Sequence, residues 1–217
     1  MPSSTTRIVK NTVIAESGAA TVLVRLMMVV NDMGIVNDSL REWSTSTDKR
    51  RMGRKGGGRV FFARMQMAYV YEALNIIKEI RDSEALMDQV QKCEKKTREC
   101  FTKVCEFLDS PDYKKLIQVR NSVGFHYDPK RALRAIKEIA AEHPDNLSAM
   151  TLGHDLLDWH FVLGDKAQDK IIVRYIFEVP KEADIGKASD EIAGRIFDMA
   201  ENLAEFSGYF VWEVTKF

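Results

Sequence analysis

Val60–Ile80, VFFARMQMAYVYEALNIIKEI, is the stretch that decides the fold class. Phe61, Met65, Ala68, Tyr71 or Val70, Leu74 and Ile77 recur every three to four residues, the period that puts apolar side chains on one face of an α-helix. Downstream, Ser83 and Glu84 read as a helix start. Leu86, Val90, Cys93, Cys100, Val104 and Leu108 mark the buried side of that helix. Ser110-Pro111-Asp112 is a further start, with serine as cap, proline at the first helical position and an acid in the first turn. Its helix carries Leu116, Val119 and Val123 and reaches His126-Tyr127, where Asp128-Pro129 restarts a helix that His143-Pro144 ends. Ser189 is positioned to cap a last helix whose stripe runs Ile192, Ile196, Ala200, Leu203, Phe206, Phe210, Val214 and Phe217. Upstream, Thr21–Val36 is almost continuously apolar, and a helix of that kind belongs inside a bundle or an oligomer interface. Asn37-Asp38-Ser39 interrupts it before a shorter amphipathic piece through Leu40 and Trp43.

Six or seven helices with short connections predict an all-α antiparallel bundle. Residues 13–142 form its body, and 147–217 are an extension packing on it. Within 147–180 the pattern is ambiguous: a small β-hairpin near 160–179 fits, and so does a buried helix over Ile171–Val179.

Composition narrows the function classes. The 217 residues carry 32 Lys+Arg and 32 Asp+Glu, so the net charge is zero. A chain that coats nucleic acid nonspecifically is usually strongly basic, so that class loses weight, although local basic patches remain open. The N-terminus is polar, with no apolar signal-peptide core behind it. The most apolar run, Ala19–Val30, is shorter than the about 20 residues a membrane span needs. A soluble cytoplasmic protein with no membrane partner is the expectation. Cys93, Cys100 and Cys105 form no C-x-x-C and read as small core hydrophobes.

Three segments carry candidate chemistry. Between Ser44 and Arg59 lies the strongest composition shift: Lys49, Arg50, Arg51, Arg54, Lys55 and Arg59 alternate with Gly53, Gly56, Gly57 and Gly58. Gly53 and Gly58 begin with P-loop spacing. Arg59-Val60 then stands where Lys and Ser/Thr are required, and no strand precedes, so nucleotide binding of that type is rejected. A flexible loop is expected here, and its six cations would suit an arm that tracks a phosphate backbone and binds RNA. The second segment holds His154, Asp155, Asp158 and His160. His154 and Asp158 stand one helical turn apart, but no H-E-x-x-H occurs and His160 falls off that face, so no metal and no cofactor is expected.

The third segment is Arg120–Asp128, RNSVGFHYD. Asn, Ser and Gly are moderate to poor helix formers, yet they sit mid-helix among apolar neighbours between a guanidinium and an imidazole. At 100° per residue Arg120 and His126 flank an apolar strip of Leu116 and Val123. Such a strip can dock on its twofold copy and bring the polar groups together across a dimer seam.

This run resembles the R-x(4–6)-H motif of the HEPN superfamily of helical bundles, with Asn121 in the place where a polar residue commonly follows the arginine. The resemblance is sharp over nine residues and architectural over 13–142; the C-terminal third has no counterpart. It implies a metal-independent endoribonuclease of a toxin–antitoxin or other defence system. It also implies a homodimer through the Arg120–His126 region, with an antitoxin or regulatory protein as a further partner. RNA supplies its own nucleophile, the 2′-OH. His126 would move the proton, Arg120 would stabilise charge on the phosphate oxygens, and Asn121 would hold the phosphate or orient His126. The products would be a 2′,3′-cyclic phosphate and a 5′-OH. Tyr127 follows His126 directly, so the branch carrying R-x4-H-x-Y, with its modified tyrosine, does not transfer. Two other readings stand beside this one: a noncatalytic helical interaction or regulatory module using the same segment, and a sensor with a closed pocket lined by Met and Phe.

Overall fold

The computed structural model describes residues 6–124, 127–154 and 158–215. The chain is an all-α helical bundle. Its elements are α1 (Asn11–Ala15), α2 (Ala20–Thr45), α3 (Lys49–Gly53), α4 (Lys55–Asp82), α5 (Glu84–Lys92), α6 (Lys95–Leu108), α7 (Pro111–Val119), a π-helical turn (Arg120–Gly124), α8 (Pro129–Glu142), strands β1 (Met150–Thr151) and β2 (His160–Phe161), α9 (Val162–Lys170), a second π-helical segment (Ile171–Ile176) and α10 (Ile185–Val214).

α4 is the central helix. Met67, Ala68, Val70, Ala73, Leu74, Ile76, Ile77 and Ile80 are all buried, so more than one face is covered. It packs on α2, α10, α7 and α6. Phe61, expected on the buried stripe, is 45% exposed. α10 contributes Leu203, Phe206 and Phe210, none with measurable exposure, and Phe206 stacks on Phe210 while its ring centroid lies 5.0 Å from that of Phe101. At roughly 1.5–3 kcal/mol for each large apolar side chain fully buried, these contacts supply most of the driving force for folding.

Several boundaries differ from the sequence expectation. α2 runs unbroken through Asn37-Asp38-Ser39, because Asn37 and Asp38 face solvent and interrupt no packing. By length and composition α2 is long and apolar enough to cross a membrane; in this bundle Leu23, Leu26 and Met33 are buried, while Val24, Met28 and Ile35 face outward. The helix expected from Ser83 to Leu108 divides at Cys93-Glu94. Ser83 does cap α5, accepting from the Leu86 amide at 3.4 Å. The N-terminus of α6 is capped from another helix: the Glu213 carboxylate of α10 accepts from the Glu94 amide at 2.7 Å and from the Thr97 hydroxyl. Ser110 precedes α7 without making a side-chain cap bond. α10 begins four residues ahead of Ser189, with Asp184 as its cap, accepting from the Lys187 amide at 2.8 Å. Ser189 instead donates to the Asp169 carboxylate at 3.1 Å.

Of the two options only the buried helix forms: Gly164-Asp165 lies within α9 rather than at a turn, so the hairpin expected near 160–179 is absent among the described residues. A minimal antiparallel pairing joins Met150 to Phe161 and Thr151 to His160, and Ile171–Ile176 is buried helix rather than a strand. Cys93 and Cys100 lie in the core as expected, and burial pushes the Cys100 thiol up.

The basic glycine-rich stretch is not a loop. Lys49–Gly53 is helical, and Lys55–Gly58 is the first turn of α4. The reason is tertiary. Gly58 lies so close to the Trp43 indole, and Gly57 so close to the Asp165 carboxylate, that a Cβ at either position would overlap them. Gly56 meets nothing within 4 Å. This sets two substitutions against each other. Gly56→Ala is expected to raise the melting temperature, because alanine is favoured over glycine in a helix by up to about 1 kcal/mol. Gly58→Ala is expected to lower it, since displacing the half-buried Trp43 ring costs roughly 1–3 kcal/mol, more than the propensity gain. Thermal melts of the two variants check both signs.

Candidate active site on a π-helical turn

The segment Arg120–Gly124 leaves α-helical geometry and adopts a π-helical turn at the end of α7. Asn121, Ser122 and Gly124 are weak helix formers, so the departure from α-geometry is inexpensive here, and π-turns inside helices frequently mark functional sites. The angular relation drawn from 100° per residue does not carry through such a turn. The chain then closes back on itself, with the Asp128 amide donating to the Ser122 carbonyl at 3.2 Å. Asp128 caps α8 as expected, accepting from the amides of Lys130 at 2.9 Å and Arg131 at 3.2 Å. Asp128→Ala is expected to cost about 1 kcal/mol through loss of this cap, readable as a lower urea midpoint. His126 lies outside the described residues.

Two of the three predicted catalytic residues stand together. Asn121 is exposed, and Arg120 donates from Nη1 to the Asn121 side-chain oxygen at 3.1 Å. Arg120 also donates from Nε to Glu72 on α4 at 3.3 Å, with side chains 41% and 48% exposed respectively. Nearby on the same helix, Glu79 accepts both guanidinium nitrogens of Arg25 at 2.6 and 2.9 Å. That hydrogen bond is the main reason Arg25 is held above the usual arginine value, with Glu72 contributing to it. Leu116 and Val123 do not form a seam open to a second copy: both are buried in the chain's own core.

What holds the turn was not read from the sequence. Arg64, Ala68 and Glu72 are spaced by four and therefore share one face of α4, the helix against which the π-helical turn packs. Glu72 meets Arg120, and Arg64 donates to the Val123 carbonyl within the turn. Arg64 is only 4% exposed, and its guanidinium lies 5.7 Å from the Phe61 ring, within cation–π range. Among the described residues its Nε has no hydrogen-bond partner. A buried guanidinium without a carboxylate is costly, so the Val123 carbonyl and the Phe61 face must offset that cost. The available signal was a charged residue in the middle of an apolar helix, FFARMQMA, four and eight residues ahead of Ala68 and Glu72.

The basic segment lies apart from this turn. From Lys55 to Glu72 α4 rises about 25 Å. Arg51 pairs with Glu42 at 2.7 Å, and its guanidinium lies 5.7 Å from the Trp43 ring. Arg59 pairs with Asp190. Lys49 and Lys55 are exposed on α3 and on the first turn of α4. The side chain of Arg50 lies outside the described part of the structure, and Arg54 caps α4, its carbonyl accepting from the Gly58 amide at 2.9 Å.

In the histidine–aspartate segment the Asp158 side chain lies against Gly153, next to His154 in the chain. His160 hydrogen-bonds Asp165 at 2.9 Å, Trp159 donates to the Gly153 carbonyl at 3.0 Å, and Asp155 lies outside the described residues. Among the described residues no three His, Cys, Asp or Glu side chains gather to hold a metal ion. Compared with family models, with curated proteins and with solved structures, the chain matches none.

Proposed function

We propose that the chain is a HEPN-like endoribonuclease of a toxin or defence system, working in the cytoplasm as a homodimer without metal. The observation that carries this reading is the outward placement of Arg120 and Asn121, hydrogen-bonded to each other on a π-helical turn, inside an all-α bundle. Two neighbouring polar groups on a turn that a buried arginine holds to the central helix form a preorganised phosphate contact. His126, five residues beyond Asn121, would take the 2′-OH proton and return one to the leaving 5′ oxygen. An imidazole, with an ordinary pKa near 6.5, suits both steps.

Glu72 does not lock Arg120. An exposed ion pair contributes about 0–1 kcal/mol, whereas a guanidinium fork on a phosphate makes paired charge-assisted bonds of greater strength. The same Arg120–Glu72 contact is the observation that favours the second reading, a noncatalytic HEPN-like interaction or regulatory module, in which the pair is an end in itself. Incubation of the purified protein with total RNA in EDTA, beside Arg120→Ala and His126→Ala, separates the two. Cleavage by the parent alone supports the nuclease. Intact RNA with the folded parent protein, or equal cutting by all three, favours the module.

A further inference from the structure

A second site lies away from the π-helical turn of Arg120. α8, the 143–148 connection, α9, the Ile171–Ile176 segment and the start of α10 enclose an open cavity of about 1000 Å³. That is the upper end of the range for small-molecule sites. Its apolar wall is built from Ile139, Leu163, Val179 and Ile185, with Ala140 on the α8 side. It contains neither Met nor Phe, so it is not the closed pocket a sensor reading anticipated.

The charges lining the cavity do not cancel. Lys170, 6% exposed, reaches Glu142 at 2.5 Å and Glu138 at 3.6 Å, and Arg134 donates to Glu138 at 2.9 Å. Those two cations and two carboxylates neutralise one another. Asp169 accepts from Ser189, and burial pushes its carboxyl above the usual carboxylate range despite that hydrogen bond and the nearby Arg174. Arg174 itself is spent on backbone, donating to the carbonyls of Pro180 and, at 2.6 Å, of Ala183. Lys166 and Lys181, both exposed, then remain in the lining with no carboxylate partner among the described residues. An apolar chamber carrying two uncompensated ammonium groups is complementary to a molecule with an apolar body and an anionic group.

We infer that this cavity binds an amphipathic small-molecule anion, its apolar part against Ile139, Leu163, Val179 and Ile185 and its carboxylate, sulfonate or phosphate between Lys166 and Lys181. The inference stands apart from RNA cleavage and is tested without RNA. The full chain is titrated with anilinonaphthalenesulfonate and, separately, with its neutral relative phenylnaphthylamine, following fluorescence. Saturable binding of both probes is expected. The double substitution Lys166→Glu and Lys181→Glu should weaken the sulfonate by roughly tenfold or more and leave the neutral probe unchanged. Ala140→Trp, which fills the chamber from an exposed helix position, should abolish both, and Ser148→Trp, in the 143–148 connection, should do the same. Thermal melts confirm that each variant is folded. Sulfonate binding that does not saturate by about 1 mM, that ignores the charge reversal, or that survives both tryptophans overturns the inference.

Discussion

Arg120→Ala is expected to lower RNA cleavage by roughly 100- to 1,000-fold, the loss typical when one preorganised donor to a developing negative charge is removed. The reason lies in geometry. Arg120 is the only guanidinium that the described structure places beside Asn121, and the fork of donors it offers to phosphate oxygens has no substitute in a lysine point charge. Arg120→Lys should therefore recover only a small part of the loss. His126→Ala is expected to fall by roughly 100- to 10,000-fold, as for a general acid–base residue. Its rate should lose the pH dependence near neutrality that an imidazole imposes. Stability should barely change with Arg120→Ala, because the ion pair it breaks with Glu72 is half-exposed and contributes about 1 kcal/mol at most. Single-turnover cleavage of a labelled RNA, with a melt of each variant, measures both quantities. A variant that melts like the parent and cuts like the parent removes Arg120 from the chemistry. Glu72→Gln is a useful companion, since freeing Arg120 from its carboxylate is expected to leave cleavage intact or raise it.

The largest effect on stability is expected from Phe206→Ala. Phe206 has no measurable exposure and is sandwiched between Phe210, with centroids 5.4 Å apart, and Phe101 at 5.0 Å. Removing a buried phenyl ring costs roughly 3–5 kcal/mol, part lost transfer energy and part the cavity left behind. Loss of two aromatic pairs, each contributing about 0.5–1.5 kcal/mol beyond burial, puts this position at the upper end. α10 packs on α6, α2 and α4, so the flanking helices cannot collapse onto the gap without shifting one another. A denaturant titration should show a lower midpoint with an unchanged slope. A loss below about 1 kcal/mol would mean that α10 is not part of the cooperative core.

The helical period made the architecture legible, and local chemistry made some boundaries legible. Asp128-Pro129 announces α8, because an acceptor side chain followed by a residue without an amide proton meets the needs of a helix start. His143-Pro144 closes it for the complementary reason. The Arg120–Asn121 hydrogen bond was not read from the motif, which gave Asn121 to the phosphate or to His126. The errors share one physical source. Asn37-Asp38-Ser39 looks like a break by composition, but polar residues on the outer face of a packed helix break nothing. Gly56-Gly57-Gly58 reads as flexible chain, yet the missing Cβ atoms of Gly57 and Gly58 let the start of α4 lie flush against Asp165 and Trp43. Ser189 has the chemistry of a cap and was outcompeted by Asp184, four residues and one turn upstream of Ala188, once Asp169 was there to take its hydroxyl.

By itself the sequence determined that this chain is an all-α bundle, where its best-capped helices begin, and which nine residues carry the sharpest chemical pattern. Those properties depend on periodicity and on neighbours within one or two turns. Only the tertiary structure decided that Arg120–Gly124 form a π-helical turn and that Leu116 and Val123 belong to the core. It also placed Arg64 and Glu72 of α4 against that turn and left Lys166 and Lys181 beside a cavity with no carboxylate partner among the described residues. Each of these depends on residues dozens of positions apart meeting in space, where burial strips away water and makes the identity of the neighbour decide whether a charge is matched.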